Sequence, residues 1–164
     1  MRNPVTVTHA IELEPLTASA FEPFGRVVAH DGAGRRFHIP SAYSPADEGR
    51  PVIWIARVED ASTLPLEIRA LERHPHSPQT FIPRGDHPHI VVVAKSDASG
   101  APDPASIRAF LAQGHQGVVY ARNCWHLGFT PLAAPCEFVV TMLETGQPDE
   151  TIVHPLARPA FVNG

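Results

Sequence analysis

The chain has 164 residues, 43% of them apolar and 18% charged, with a formal charge of −4 and a pI near 6.2. This excludes a disordered chain and suits one globular domain over residues 1–164, long enough to bury a core without staples. The acidic balance excludes a nucleic-acid surface, no apolar run approaches the ~18 residues of a membrane helix, and two cysteines, Cys124 and Cys136, are too few for a disulfide framework.

The first residues, Met1 to Leu13, lack the long apolar core of a signal peptide. A cytoplasmic protein with two free thiols is therefore expected. The 18 prolines are about twice average usage and leave little room for long helices.

In chain order, Thr17 to Phe21 reads as a short helix capped by Thr17 or Ser19, and Phe24-Gly25 turns into a strand over Arg26 to Ala29. His30 to Arg50 reads as loop, with a short edge strand at Arg36 to Ile39. Pro51 to Val58 is β-branched and aromatic and is expected as a core strand. Leu64 to Ile68 alternates with period two, Thr80 to Pro83 follows as a strand, and His89 to Ala94 reads as a strand buried on both faces. Asp103 to Gln113 is the expected helix: Asp103 caps, Pro104 opens, Ile107, Phe110 and Leu111 make an apolar stripe, and Gly114 stops it. Gly117 to Tyr120 and Cys136 to Leu143 close the series. Many short strands with frequent turns predict an all-β barrel or sandwich with one or two short helices.

The densest polar cluster is Glu72-Arg73-His74-Pro75-His76-Ser77-Pro78-Gln79. Histidines two apart on a strand share a face, and Gln79 adds an oxygen donor. With the distant His126, the set His74, His76, Gln79 and His126 describes a site for a borderline divalent ion such as Ni, Mn, Fe or Zn. Solvated or hydrogen-bonded histidines are the competing reading, because Pro75 disturbs a regular strand. His87-Pro88-His89 has the same spacing but reads as loop beside Gly85 and Asp86. No nucleophile elbow occurs, and Cys124 reads as a small core residue.

Two stretches together resemble the ureidoglycolate lyase family. Leu71-Glu72-Arg73-His74-Pro75 followed by Gln79-Thr80-Phe81-Ile82-Pro83 is one. Ser106 to Phe110, Gly114-His115-Gln116-Gly117-Val118, Tyr120, Arg122-Asn123 and Trp125-His126 make the other, and Phe37-His38-Ile39 adds a third match upstream. The resemblance implies a cupin-like β-barrel (double-stranded jelly roll), a homodimer, and cleavage of the small acid ureidoglycolate into urea and glyoxylate in allantoin, that is purine, catabolism.

The matching positions are His38, Arg73, His74, Gln79, Arg122, Asn123, Trp125 and His126. On this resemblance His74 and His126 are expected around the reacting hydroxyl, as ligands or as acid and base. Gln79 would hold the ureido group or the metal, and Arg73 or Arg122 the carboxylate, with Asn123, His38 and Trp125 completing the binding site. Strand alternation puts Arg73 opposite His74 and favours Arg122. The sequence departs from the family where Leu127-Gly128 follows Trp125-His126 in place of His-Pro, and where Met142-Leu143-Glu144-Thr145-Gly146 replaces the family's aspartate-bearing strand end. These departures leave open a related enzyme acting on another ureido or hydroxy acid, or a small-molecule-binding cupin.

Overall fold

A computed structural model describes residues 10–40 and 42–164. Residues 1–9, on which the reading of the first segment partly rests, lie outside the described residues. The elements are β1 (Ala10–Pro15), α1 (Ala18–Phe21), β2 (Gly25–Val28), β3 (Arg50–Val58), β4 (Leu66–Arg73), β5 (Gln79–Arg84), β6 (His89–Ala94), β7 (Arg108–Ala112), β8 (Gly117–Tyr120), β9 (Trp125–His126), β10 (Cys136–Glu144) and β11 (Ile152–Asn163). Within the described residues no helix is long and apolar enough to cross a membrane.

β1 runs parallel to both β11 and β7 and so closes a six-stranded barrel in the order β1-β11-β4-β9-β6-β7. The other strands form a five-stranded sheet, β2-β8-β5-β10-β3, antiparallel throughout. Alternation divides the apolar residues between two cores. Ile68, Leu71, Ile90, Val92, Ala109, Trp125 and Val162 pack together in one. Phe81, Val91, Val93, Phe110, Val118, Phe138 and Val140 pack in the other, together with Phe21 and Phe24 from the α1 segment. β6 supplies both cores, and all six of its residues are buried, as its unbroken apolar run requires. This all-β barrel bears out the expected cupin-like architecture. Thr17 caps α1 by accepting from the Ala20 N–H.

Three local expectations are corrected. The helix over Asp103–Gln113 is instead a single 3-10 turn, Pro104–Ser106, capped by Asp103 and followed by β7. The spacing of Ile107, Phe110 and Leu111 fits a helix. Yet this segment has open strand edges on both sides, and it pairs with β6 and β1 at once. Two ladders outweigh a modest local propensity. Pro51–Val58 is a strand, but not a core one: among the described residues β3 has β10 as its sole ladder partner and ends the sheet, leaving Ile53 71% exposed. Arg36–Ile39 forms no strand; it follows two glycines with φ of 85° and 69° and finds no ladder partner among the described residues.

β11 was not among the expected elements. Pro155 and Pro159 hide it, because proline cannot donate to a ladder. Its pairing with β4 stops at Pro155 and resumes at Ala160.

Candidate active site

The histidine at the end of β4 and the histidine of β9 meet because their strands are neighbours. Glu72 stands opposite His126 in the β4–β9 ladder. Residues opposite each other share a face. Leu71 and Trp125 fill one core, so Glu72 and His126 point the other way, toward the five-stranded sheet. His74 lies just beyond β4, two residues after Glu72 on the same side. Gln79 opens β5 and reaches from the facing sheet, paired in register with Tyr120 of β8 and Met142 of β10.

The rings of His74 and His126 are 5.3 Å apart. The Gln79 amide oxygen lies 3.0 Å from His74 Nε2 and 3.2 Å from His126 Nε2. The Glu72 carboxylate is 3.5 Å from His126 Nε2. His74, Gln79 and His126 are all buried. Tyr120 stacks on His126 with ring centroids 4.1 Å apart, and Phe81 meets it edge-on. The imidazole of His126 is thus fixed in plane and tilt.

The other ring nitrogens decide the tautomers. His74 Nδ1 is 3.0 Å from the Glu150 carbonyl, and His126 Nδ1 is 2.9 Å from the Cys124 carbonyl. A backbone carbonyl only accepts, so each Nδ1 carries the proton and donates it. In the neutral rings both Nε2 lone pairs then converge on one point. The Gln79 orientation with oxygen toward both Nε2 atoms serves two protonated rings. Neutral rings require the amide turned over, its NH2 donating to both. Burial and the adjacent His126 hold His74 below its ordinary pKa, which favours its neutral form. Glu72 is held below the usual carboxylate range, chiefly by His126.

Glu72, His74 and His126 offer three ligand atoms within 4.8 Å of one another. Two imidazoles and a carboxylate suit a borderline divalent ion. The carbonyl at each Nδ1 is what a metal-binding imidazole needs to hold its ring and tautomer. The residues present therefore fit a metal ion.

In front of this cluster lies a hollow of about 260 Å³. Glu72, His74, Gln79, Glu144, Glu150 and Thr151 give it a polar side. Trp54, Phe81, Phe129 and Met142 give it an apolar one.

The remaining expected residues lie elsewhere. His76 pairs with Asp149 at 2.7 Å, and is not in the Glu72–His74–His126 group. Pro75 turns the chain out of strand geometry between His74 and His76, so the two imidazoles do not share a face. Arg73 points away from His74, over the Trp125 ring at 4.6 Å, and donates to the Gly100 carbonyl. Trp125 is buried, its indole N–H donating to Ser96. Arg122 lines a neighbouring hollow with His76, donates to the Pro75 carbonyl and sits 3.3 Å from Asp47. Asn123 is exposed, in the left-handed region at φ 66°, and its N–H donates to the His74 carbonyl. His38 is exposed in the irregular segment after β2.

Glu72 was legible as a site residue and was missed, since it stands two before His74. Glu150, Thr151, Phe129 and Trp54 carry no local motif; only the tertiary fold brings them to the hollow. His89 is the first residue of β6, as the 89–94 run expects, and so does not belong to a loop with His87 and Pro88; it is buried edge-on against Phe138.

Comparison with known proteins bears on what this arrangement does. Residues 8–162 match the family model described as "Ureidoglycolate lyase". The ureidoglycolate lyase of Burkholderia mallei is 41% identical over 140 residues, covering 79% of this chain and 80% of that protein. A putative ureidoglycolate lyase of Agrobacterium fabrum is 34% identical over 93% of this chain and 94% of its own. That of Stutzerimonas stutzeri is 40% identical over 79% of this chain and 81% of its own. With a family model spanning nearly its whole length and relatives this close, the chain belongs to the ureidoglycolate lyase family.

Proposed function

We propose that this protein is a lyase that splits ureidoglycolate into urea and glyoxylate, a step of allantoin, and so purine, catabolism. The observation that carries the reading is the convergence of the His74 and His126 Nε2 atoms on Gln79, beside Glu72: Glu72, His74 and Gln79 line one small hollow, and His126 is buried against them.

Ureidoglycolate carries a hydroxyl, a carboxylate and a ureido nitrogen on one carbon. Its cleavage removes the hydroxyl proton, forms a C=O bond, breaks the C–N bond and protonates the departing nitrogen. No water is consumed. The reaction needs a base at the hydroxyl and an acid at the nitrogen, and imidazole titrates near neutrality and serves either role. With no ion bound, neutral His74 accepts the hydroxyl proton at Nε2. His126, protonated beside the Glu72 carboxylate, gives its Nε2 proton to the departing nitrogen. A proton passed from His74 to His126 resets the pair. Gln79 bridges the two rings and fixes their separation.

Among the described residues no Arg or Lys lines the hollow, which instead carries Glu72, Glu144 and Glu150. An anionic substrate there needs a cation. Glu72, His74 and His126 would hold a divalent ion (Ni, Mn, Fe or Zn), with Gln79 next to it; each imidazole would then spend its Nε2 lone pair on the ion and act as ligand in place of acid or base. When bound, such an ion lowers the pKa of a hydroxyl as a Lewis acid. The homodimer belongs to the same reading; the exposed Ile53 and Ile55 on the open edge of β3 support it. A cytoplasmic setting fits two free cysteines. The deciding experiment measures urea and glyoxylate release from ureidoglycolate with and without chelator. Release of neither product, with metal restored, refutes the assignment.

A further inference from the structure

The apolar side of the hollow is unexplained by a substrate made almost entirely of polar groups. Three of its members are rings. Phe81 and Phe129 stack on each other at 4.4 Å, and Phe81 also meets Tyr120 and His126 edge-on, so their faces are spent on packing. Trp54 makes no ring or cation contact among the described residues. In the sheet it stands opposite Val140, which stands opposite Phe81. Val140 and Phe81 are buried, so this row faces inward. Trp54 ends the row on the edge strand and keeps 38% exposure, its indole open toward the hollow. Ile53 and Ile55, its neighbours, face the other way.

A planar, delocalised group is what an open aromatic face receives best. Ureidoglycolate has two such groups, the ureido and the carboxylate, and of these the neutral ureido suits an apolar wall, whereas a carboxylate there would lose its hydration without gaining a cation. We infer that Trp54 forms the ureido subsite, the ureido plane lying against the indole while the hydroxyl-bearing carbon faces His74 and His126. Trp54 is then a positioning residue that selects ureido-substituted acids over simple hydroxy acids. The inference rests on the lyase reading for its natural ligand, but the site itself can be probed without turnover.

The chain has two tryptophans, and Trp125 is 1% exposed beneath Arg73, so a ligand-dependent change in emission reports Trp54. The probes are ureidoacetate, which keeps the ureido group and lacks the hydroxyl, and glycolate, which lacks the ureido group. On the metal-loaded full chain, ureidoacetate changes the emission saturably and glycolate does not. In Trp54→Phe the change is lost, and KM for ureidoglycolate rises less than in Trp54→Ala because a smaller aromatic face remains. In Trp54→Ala, KM rises about 3- to 10-fold with kcat within about twofold, and inhibition by glycolate is unaltered. An unchanged KM in Trp54→Ala, or equal weakening of ureidoacetate and glycolate, overturns the subsite and leaves the lyase reading standing. Saturable ureidoacetate quenching without any turnover of ureidoglycolate sinks the lyase reading and keeps the subsite.

Discussion

The His74 carbonyl accepts the Asn123 N–H at 3.1 Å, which ties the two histidine-bearing segments together through the backbone itself. Asn123 adopts φ 66° to make this contact. The position of His126, three residues on, is therefore keyed to that of His74 before any side chain is considered.

Removing either imidazole removes a ligand of the ion or, with no ion bound, an acid or a base. His126→Ala is expected to lower kcat by at least ~100-fold in a glyoxylate-release assay, with His74→Ala similar. Near-normal turnover in either variant takes that residue out of the mechanism.

Metal content distinguishes the two histidines that the sequence places side by side. Metal analysis of the purified protein should find a divalent ion, and Glu72→Ala or His74→Ala should lose it. His76→Ala should retain the ion and turn over within about threefold of the parent, because His76 is engaged with Asp149 and stands outside the donor cluster. Loss of metal in the His76 variant would redraw the ligand set.

His89 sets an acid limit on stability. Burial pushes its pKa down to about 4, and neither ring nitrogen has a hydrogen-bond partner among the described residues. The unfolded chain, with the usual histidine pKa near ~6.5, binds this proton more readily than the folded one. Its contribution is thus fully present above pH ~6.5 and is lost as pH falls toward 4, on the order of 3 kcal/mol in all. Urea denaturation of His89→Phe from pH 7 to 4.5 should show a flatter acid limb than the parent. An identical limb in both would assign acid sensitivity elsewhere.

The edge of β3 predicts association. Ile53→Glu places a charge on an exposed apolar position without touching either core. Light scattering should give twice the chain mass for the parent and a shift toward the single-chain mass for the variant. An unchanged mass in the variant would move the interface to another face.

Much of this was legible in the sequence, and the failures have specific causes. The β6 run and the capped α1 declared themselves because one local signal determined each. His74, Gln79 and His126 could be paired across 52 positions by their motifs, and the fold does bring them together. The 103–113 segment misled because five residues cannot distinguish a helical stripe from a strand whose two faces feed different cores. β3 misled because apolar composition reports β structure and not depth. His76 misled because period-two logic fails once Pro75 breaks the strand. The apolar wall of the hollow was invisible, since Trp54, Phe129 and Met142 come from three separate stretches.

The doubly buried β6 has a consequence for how the molecule comes apart. Ile90 and Val92 belong to one core while Val91 and Val93 belong to the other. Neither layer can open at this strand without exposing apolar surface in both. The β6 amides should therefore be the last to exchange with deuterium, and barrel and sheet should melt in one cooperative transition rather than two.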